Sequence, residues 1–351
     1  MSGFFGYVQL EATRYRERFG LAFEEFAAGQ AFEHRPGVTV TQQDNLEEAL
    51  DTLNNAQLHY DLHYAEQTEW KLNLGVSTMT LQRLLGMTSR TFYRRRSLLG
   101  IDEIAMTHPV FGGDTLYART HVVAATDGGD TDVGLLSLMT EGINQRGEVV
   151  ARITYRIDVF RTGRHPEDKM PGKAAVTEEE RFRLHHAKPD GTLVEQTGLY
   201  FEDFVEGESF EHWPGKSLNA AESTLHALRS LEINPRYADP SYAKSTLGRP
   251  ADIFEPFVIG VTTALTTRTF GRVVANLGWT EIKLPRPVRP GESIRAVSTI
   301  GAKRESTHRP TQGILHADTA AYGEDGGLVC SFKRVFLIYK RNLGPYQSAG
   351  Y

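Results

Sequence analysis

Residues 54–69 gather side chains that can move protons, hold water or bind a cation: Asn54, Gln57, His59, Asp61, His63, Glu66 and Glu69. An imidazole titrates near neutrality, so His59 can take a proton and give it back within one cycle. Without further context, a histidine beside Tyr60 on a polar loop reads first as a solvated side chain. Asn54 exchanges no proton near neutrality; it can position a water or a carbonyl, or bond its own backbone in a turn. Asp61 lies two residues from His59 and would share its side of an extended segment, where it could orient the ring. The reading preferred for Asp61 is an N-cap on the turn that opens at Leu62. His59, Asp61 and His63 also have a metal-like spacing. Alternate positions on one strand do not close a tetrahedral site, and no thiol or placed fourth ligand accompanies them, so no metal is expected.

These side chains need rigid neighbours. From Gly75 to Phe92 the chain turns apolar, and Val76, Met79, Thr80, Leu84, Met87, Thr88 and Phe92 keep a helical spacing. Leu81 and Leu85 make a second side apolar, which predicts a helix with protein around most of it. Gly75, Val76 and Ser77 open that helix, where free amides and the dipole favour an oxygen that carries negative charge. Arg94, Arg95 and Arg96 follow it and could grip phosphates, although cations after a helix also suit its dipole. Before the loop, Asp44 to Leu53 reads as a short helix with Leu46, Ala49, Leu50 and Leu53 on one side. After it, residues 114–126, 133–144 and 148–160 alternate apolar and polar side chains, with a turn at Gln145-Arg146-Gly147. One long helix against an antiparallel sheet is an α+β layer arrangement.

The chain then repeats itself. Phe23-Glu24-Glu25-Phe26, Gly29, Phe32-Glu33-His34 and Pro36-Gly37 recur as Phe201-Glu202-Asp203-Phe204, Gly207, Phe210-Glu211-His212 and Pro214-Gly215, an offset of 178. The same offset carries Asp61, Tyr64 and Ala65 onto Asp239, Tyr242 and Ala243, and Arg90-Thr91-Phe92 onto Arg268-Thr269-Phe270. After Val122 the register slips by one. The copies differ at the polar loop, where His59 falls on Tyr237 and Asn54 on Glu232. The expected organisation is an N-terminal module over 1–160 that carries the active site, a surface linker over 161–200 with a helical turn near Thr177 to Leu184, and a degenerate duplicate over 201–351.

Composition narrows the partners. The net charge of −5 with both signs interspersed argues against nucleic acid. Cys330 is the only cysteine, so no intramolecular disulfide or thiol-based metal site is available, which fits a reducing cytosol. No apolar run approaches the ~20 residues of a spanning helix, and the N-terminus has no signal-peptide pattern. A cytoplasmic protein with no membrane partner is expected.

The run Asn54-Asn-Ala-Gln-Leu-His59-Tyr-Asp61, followed by Tyr64-Ala65 and by Gly75-Val76-Ser77 at a helix start, resembles the D-x-N-P-[LIV]-H-x-D motif of the MaoC-like (R)-specific enoyl-CoA hydratases. His59 and Asp61 fall on the family's His and second Asp; Asn54 stands at its first Asp, and Ala56 and Gln57 stand at its Asn and Pro. The resemblance implies a double hot-dog fold, two tandem modules each with a long central helix wrapped by an antiparallel sheet. It implies reversible addition of water to a short branched enoyl-CoA, with mesaconyl-CoA and β-methylmalyl-CoA the leading pair. His59 would be the acid/base, with Asn54 and Asp61 beside it; Gly75, Val76 and Ser77 would hold the thioester oxygen, and Arg94, Arg95 and Arg96 the coenzyme A phosphates. The acyl-CoA is the substrate, no separate cofactor is implied, and pairing into a homo-oligomer is open. The rival readings are a hot-dog acyl-CoA thioesterase, for which Asp252 and Glu255 supply acids at the second helix start, and a non-catalytic acyl-CoA-binding protein.

Overall fold

The computed structural model describes residues 4–170, 175–196, 198–346 and 348. Residues 171–174 and 197 of the expected linker, and the extreme termini of the two expected modules, lie outside them.

In the first module β3 (Ala31–Thr39) leads into α1 (Gln42–Asp51), the polar loop with its short α2 (Leu62–Ala65), and the central helix α3 (Ser77–Met87). Four strands follow: β4 (Arg95–Met106), β5 (Thr115–Thr126), β6 (Val133–Asn144) and β7 (Val149–Phe160). The second module repeats the order with β11 (Ser209–Ser217), α4 (Ala220–Arg229), α5 (Pro235–Ala238), α6 (Pro240–Tyr242), α7 (Glu255–Leu265), β12 (Val273–Lys283), β13 (Ser293–Glu305), β14 (Gln312–Tyr322) and β15 (Leu328–Tyr339). Each sheet runs in equivalent order, β4-β7-β6-β5-β3 and β12-β15-β14-β13-β11. Each receives its central helix on one face, so the fold is a double hot dog. The one-residue slip has a local cause. Residues 127–134 join the pair Thr126–Leu135, whereas residues 305–313 join Arg304–Ile314, one residue more.

The core of the first module joins Leu84 and Phe92 to Phe32, Leu136, Ile153 and Ile157 across the sheet. Met79 and Val76 meet Ala49, Val110 and Val150 in a second cluster. Two expectations need correction here. The central helix is not enclosed on most sides: Met79, Thr80 and Leu84 are buried, while Ser77, Thr78, Gln82, Arg83 and Gly86 are exposed. The inner side of α1 is also different, because Asn45 and Ala49 are buried while Leu50 and Leu53 are 56% and 82% exposed. Asn45 takes the inside position because its amide satisfies main-chain groups that no leucine could.

The two sheets exchange strands. The N-terminal hairpin β1 (Tyr7–Glu11) and β2 (Arg14–Glu17) precedes the first module, yet β2 runs parallel to β11 of the second. A two-residue strand, β8 (Ala175–Val176), pairs with β1 at the edge of that sheet. Inside the expected linker, β9 (His185–Ala187) and β10 (Leu193–Glu195) precede the second module, yet β10 runs parallel to β3 of the first. Residues 161–200 therefore do more than connect: part of them extends the first sheet, and the expected turn near Thr177 to Leu184 is a short 3-10 turn at Glu180–Phe182.

Each exchanged strand ends on a glutamate that enters the other module's core. Glu195 meets His34 Nδ1 at 3.0 Å, accepts from Thr91 Oγ1 at 2.6 Å and from the Arg35 amide at 3.0 Å. Glu17 repeats this with His212 Nδ1 at 3.3 Å, Thr269 Oγ1 at 2.5 Å and the Trp213 amide at 3.1 Å. The other imidazole nitrogens meet Thr120 at 2.8 Å and Ser298 at 2.9 Å. Every pair of counterparts obeys the 178 offset, so the repeat reaches back to the hairpin and to β9–β10.

Candidate active site

The polar loop is held from both ends. Asn45, buried on α1, donates through Nδ2 to the His59 carbonyl at 2.9 Å and to the Leu74 carbonyl at 3.0 Å, and its Oδ1 accepts from the Val76 amide at 2.7 Å. Gln42 Nε2 donates to the same His59 carbonyl at 2.9 Å. The helix start is clamped from behind. The Gly75 amide donates to the Val110 carbonyl at 2.7 Å, so close that a Cβ on Gly75 would lie 2.8 Å from that oxygen. A glycine is required there, and the Val110-Phe-Gly-Gly-Asp114 turn is what requires it.

His59 sits half-buried between these supports. Its Nδ1 lies 2.8 Å from the Leu74 carbonyl. A carbonyl only accepts, so Nδ1 carries the proton in the neutral ring and Nε2 keeps its lone pair. The ring is thus fixed in the tautomer that a base working through Nε2 needs. Leu74 immediately precedes Gly75, so one carbonyl ties the imidazole to the first turn of α3.

The other expected site residues fall into different places. Asn54 Oδ1 accepts from the Ala56 amide at 3.0 Å, an Asx turn that shapes the loop and leaves Nδ2 to donate elsewhere. Asp61 is exposed and accepts from the Tyr64 amide at 3.0 Å, so it caps α2. It does not orient His59, whose Nδ1 is taken by Leu74. Of the three residues at the helix start, Gly75 and Val76 have spent their amides on Val110 and Asn45; Ser77 and Thr78, in the first turn, have amides with no partner inside the helix. Any oxygen held there meets those two rather than the first pair.

The arginine triplet does not act as one grip. It enters β4, where successive side chains point to opposite faces. Arg94 is buried and donates to both Asp168 oxygens at 2.8 Å, Arg96 pairs with Asp158 at 2.7 Å and Asp130 at 3.2 Å, and Arg95 is exposed. Arg94, just before the strand, and Arg96, within it, are thus held in ion pairs.

The second module carries a different cluster at the equivalent place. Tyr237 donates its hydroxyl to Glu255 Oε2 at 2.5 Å, and Arg236 packs 4.5 Å from the ring while pairing with Glu255. Burial, with the Glu255 hydrogen bond adding to it, pushes the Tyr237 phenol up to about 12. It is no base near neutrality. Glu255 and Asp252, the acids a thioester-cleaving reading would use, are paired with Arg236 and Arg249. Among the described residues no group of three or more His, Cys, Asp or Glu side chains is disposed to hold a metal ion, and no helix is long and apolar enough to cross a membrane.

Asn45 is the residue that sequence reasoning missed; its one signal was a polar side chain on the inward face of a short amphipathic helix. In the second module Ser223 stands at its place and accepts from the Phe254 amide at 2.8 Å. Asn45→Ala is expected to cost about 1–3 kcal/mol by stranding the Val76 amide. Asn45→Ser, which keeps an acceptor, should cost clearly less in denaturant unfolding. Equal costs would show that this amide contributes nothing.

A family model described as mesaconyl-CoA hydratase matches the chain twice, over residues 5–191 and 185–349. Among curated proteins, the mesaconyl-CoA hydratase of Cereibacter sphaeroides is 27% identical over 147 residues, 41% of this chain and 42% of that one. The β-methylmalyl-CoA dehydratase of Chloroflexus aurantiacus is 25% identical over 127 residues, 35% of this chain and 36% of that one. The aligned stretches thus span about two fifths of these relatives' length. Among solved structures, a putative MaoC domain protein dehydratase from Chloroflexus aurantiacus aligns over 92% of this chain and 98% of its own, at 18% identity and a TM-score of 0.39.

Proposed function

The chain belongs to the mesaconyl-CoA hydratase family, and from that premise we propose that it adds water reversibly across the double bond of an enoyl-CoA thioester. The finer reading is a short branched dicarboxylic substrate, mesaconyl-CoA, hydrated to β-methylmalyl-CoA. The observation that supports the reaction most is the fixed tautomer of His59 beside the first turn of α3.

Hydration places OH on Cβ and H on Cα. His59 Nε2 takes a proton from the attacking water, and the resulting imidazolium returns a proton to Cα, so the ring ends as it began. The Leu74 carbonyl accepts from Nδ1–H throughout and favours the imidazolium while it exists. The Ser77 and Thr78 amides, at the positive end of α3, bond the thioester oxygen as charge gathers on it. Asn54 moves no proton; its Nδ2 holds the water or the thioester in place. Coenzyme A is part of the substrate, and no separate cofactor enters the scheme.

Incubation with a panel of enoyl-CoAs tests this directly. A mass gain of one water is expected, greatest for mesaconyl-CoA; release of free thiol in its place would make the protein a thioesterase, and an unchanged panel would make it a binder. Asn54→Ala should lower kcat by roughly ten- to a hundredfold, as loss of a positioning hydrogen bond does, with the pH profile keeping a single ionisation. A second, acidic ionisation that vanishes in Asp61→Asn would bring a carboxylate into the chemistry.

A further inference from the structure

A cleft of about 780 Å³ opens between the modules, lined by Ser89 and Arg90 of the first copy, Thr267 and Arg268 of the second, and the rings of Phe19 and Tyr93. Ser89 and Arg90 map onto Thr267 and Arg268 by the 178 offset, so the cleft straddles the axis that relates the copies. Both guanidinium carbons lie near one ring, 5.8 Å (Arg90) and 5.1 Å (Arg268) from the centre of Phe19. Neither arginine has an ion pair among the described residues. Arg268 donates only to main-chain carbonyls, to Trp213 at 2.6 Å and Pro214 at 3.4 Å, and Arg90 Nε is buried without a partner. The charges of Glu17 and Glu195 act on these arginines through space, while the carboxylate oxygens are bonded elsewhere, Glu17 to Thr269, His212 and the Trp213 amide, and Glu195 to Thr91, His34 and the Arg35 amide.

A helix C-terminus favours a nearby cation, which accounts for one arginine after each central helix. It does not account for two guanidinium groups sharing one partly enclosed cleft with no carboxylate in contact among the described residues, an arrangement that a phosphate suits. Guanidinium groups suit phosphate oxygens, and an aromatic floor suits a flat base. Position adds to chemistry. From Ser77 to Arg90, and from Glu255 to Arg268, the chain advances thirteen residues along a helix and its last turn, roughly 20 Å at about 1.5 Å per residue. The cleft therefore lies an extended chain's length from the first turn of α3, where His59 stands.

We infer that this cleft holds the phosphorylated nucleotide end of the coenzyme A thioester, with Arg90 and Arg268 on its phosphates. The inference rests on the enoyl-CoA reading for its ligand, and assigns the phosphate contacts to Arg90 and Arg268 in place of the ion-paired Arg94 and Arg96.

Calorimetric titration of the full chain with coenzyme A, adenosine 3′,5′-bisphosphate and pantetheine tests it, in the native protein and in Arg90→Gln, Arg268→Gln and the double variant. One coenzyme A per chain is expected, displaced competitively by the bisphosphate, with affinity falling about tenfold in each single variant and about a hundredfold in the double one. Pantetheine binding should not change. Coenzyme A affinity within twofold of native in the double variant, or a bisphosphate that fails to compete in the native protein, overturns the assignment; the competition arm stands even if the double variant does not fold. Enoyl-CoA hydration retained with KM unchanged in the double variant removes the cleft and leaves the reaction. Coenzyme A binding lost in the variants of a protein that hydrates nothing removes the reaction and leaves the cleft.

Discussion

His59→Ala is expected to lower kcat for hydration by about 10²–10⁴-fold, the usual loss when a general acid/base is removed, while Tyr237→Phe keeps most of the activity. The asymmetry follows from the two loops. His59 has its Nδ1 paid out to a carbonyl and its Nε2 open, whereas the Tyr237 hydroxyl is closed off by Glu255 and its phenol is pushed up to about 12. Steady-state kinetics on both variants, with thermal unfolding to confirm that each is folded, decide the matter. A crippling Tyr237→Phe would move the chemistry into the second module.

The largest expected effect on stability comes from Glu195→Ala. Removing a buried acceptor strands each donor that it served, at about 1–3 kcal/mol apiece. Here His34, Thr91 and the Arg35 amide lose their shared acceptor at once. Denaturant unfolding at neutral pH measures this, and a loss below about 1 kcal/mol would mean that the cluster is ornamental. The same cluster sets an acid limit. Burial opposes ionisation of Glu195, but the charge and hydrogen bond of His34, with Arg90 nearby, hold it down to about 2. Burial lowers His185, which meets Thr91 Oγ1 at 3.0 Å, to about 3. In both cases the unfolded chain binds more protons across the window between the two values. Stability should therefore fall as pH drops, through His185 from about 6.5 toward 3 and through Glu195 from about 4.5 toward 2. Unfolding midpoints that stay level from pH 7 to pH 4 would contradict it.

The repeat was legible because its signals are local: paired phenylalanines, glycines at turns and the Arg-Thr-Phe that ends each central helix, with Phe92 and Phe270 both buried. The histidine was legible by its type and by its motif. What stayed hidden depends on partners distant in sequence. Asp61 and Asn54 spend their side chains on neighbouring amides, a choice the sequence left open. Asn45 looks like any helix asparagine until the carbonyls of His59 and Leu74 come to it from 14 and 29 residues away. Nothing local marks Glu17 and Glu195, because the histidines they meet lie 195 and 161 residues off. The arginine triplet misled for a geometric reason, since a run of three reads as one patch unless the alternation of a strand pulls it apart.

The exchange of β2 and β10 between sheets bears on how the chain is made. A tandem protein ordinarily finishes its first domain on the ribosome while the second is still being translated. Here residues 31–160 emerge without the glutamate that completes their core, which follows only at Glu195, and the hairpin at residues 7–17 must wait for β11 at residue 209. The N-terminal half thus emerges early but is finished late, holding a pair of strands that belongs to the other sheet and lacking a pair of its own. Cutting the gene in the connecting segment would yield two fragments that need each other, each carrying the piece that the other is missing.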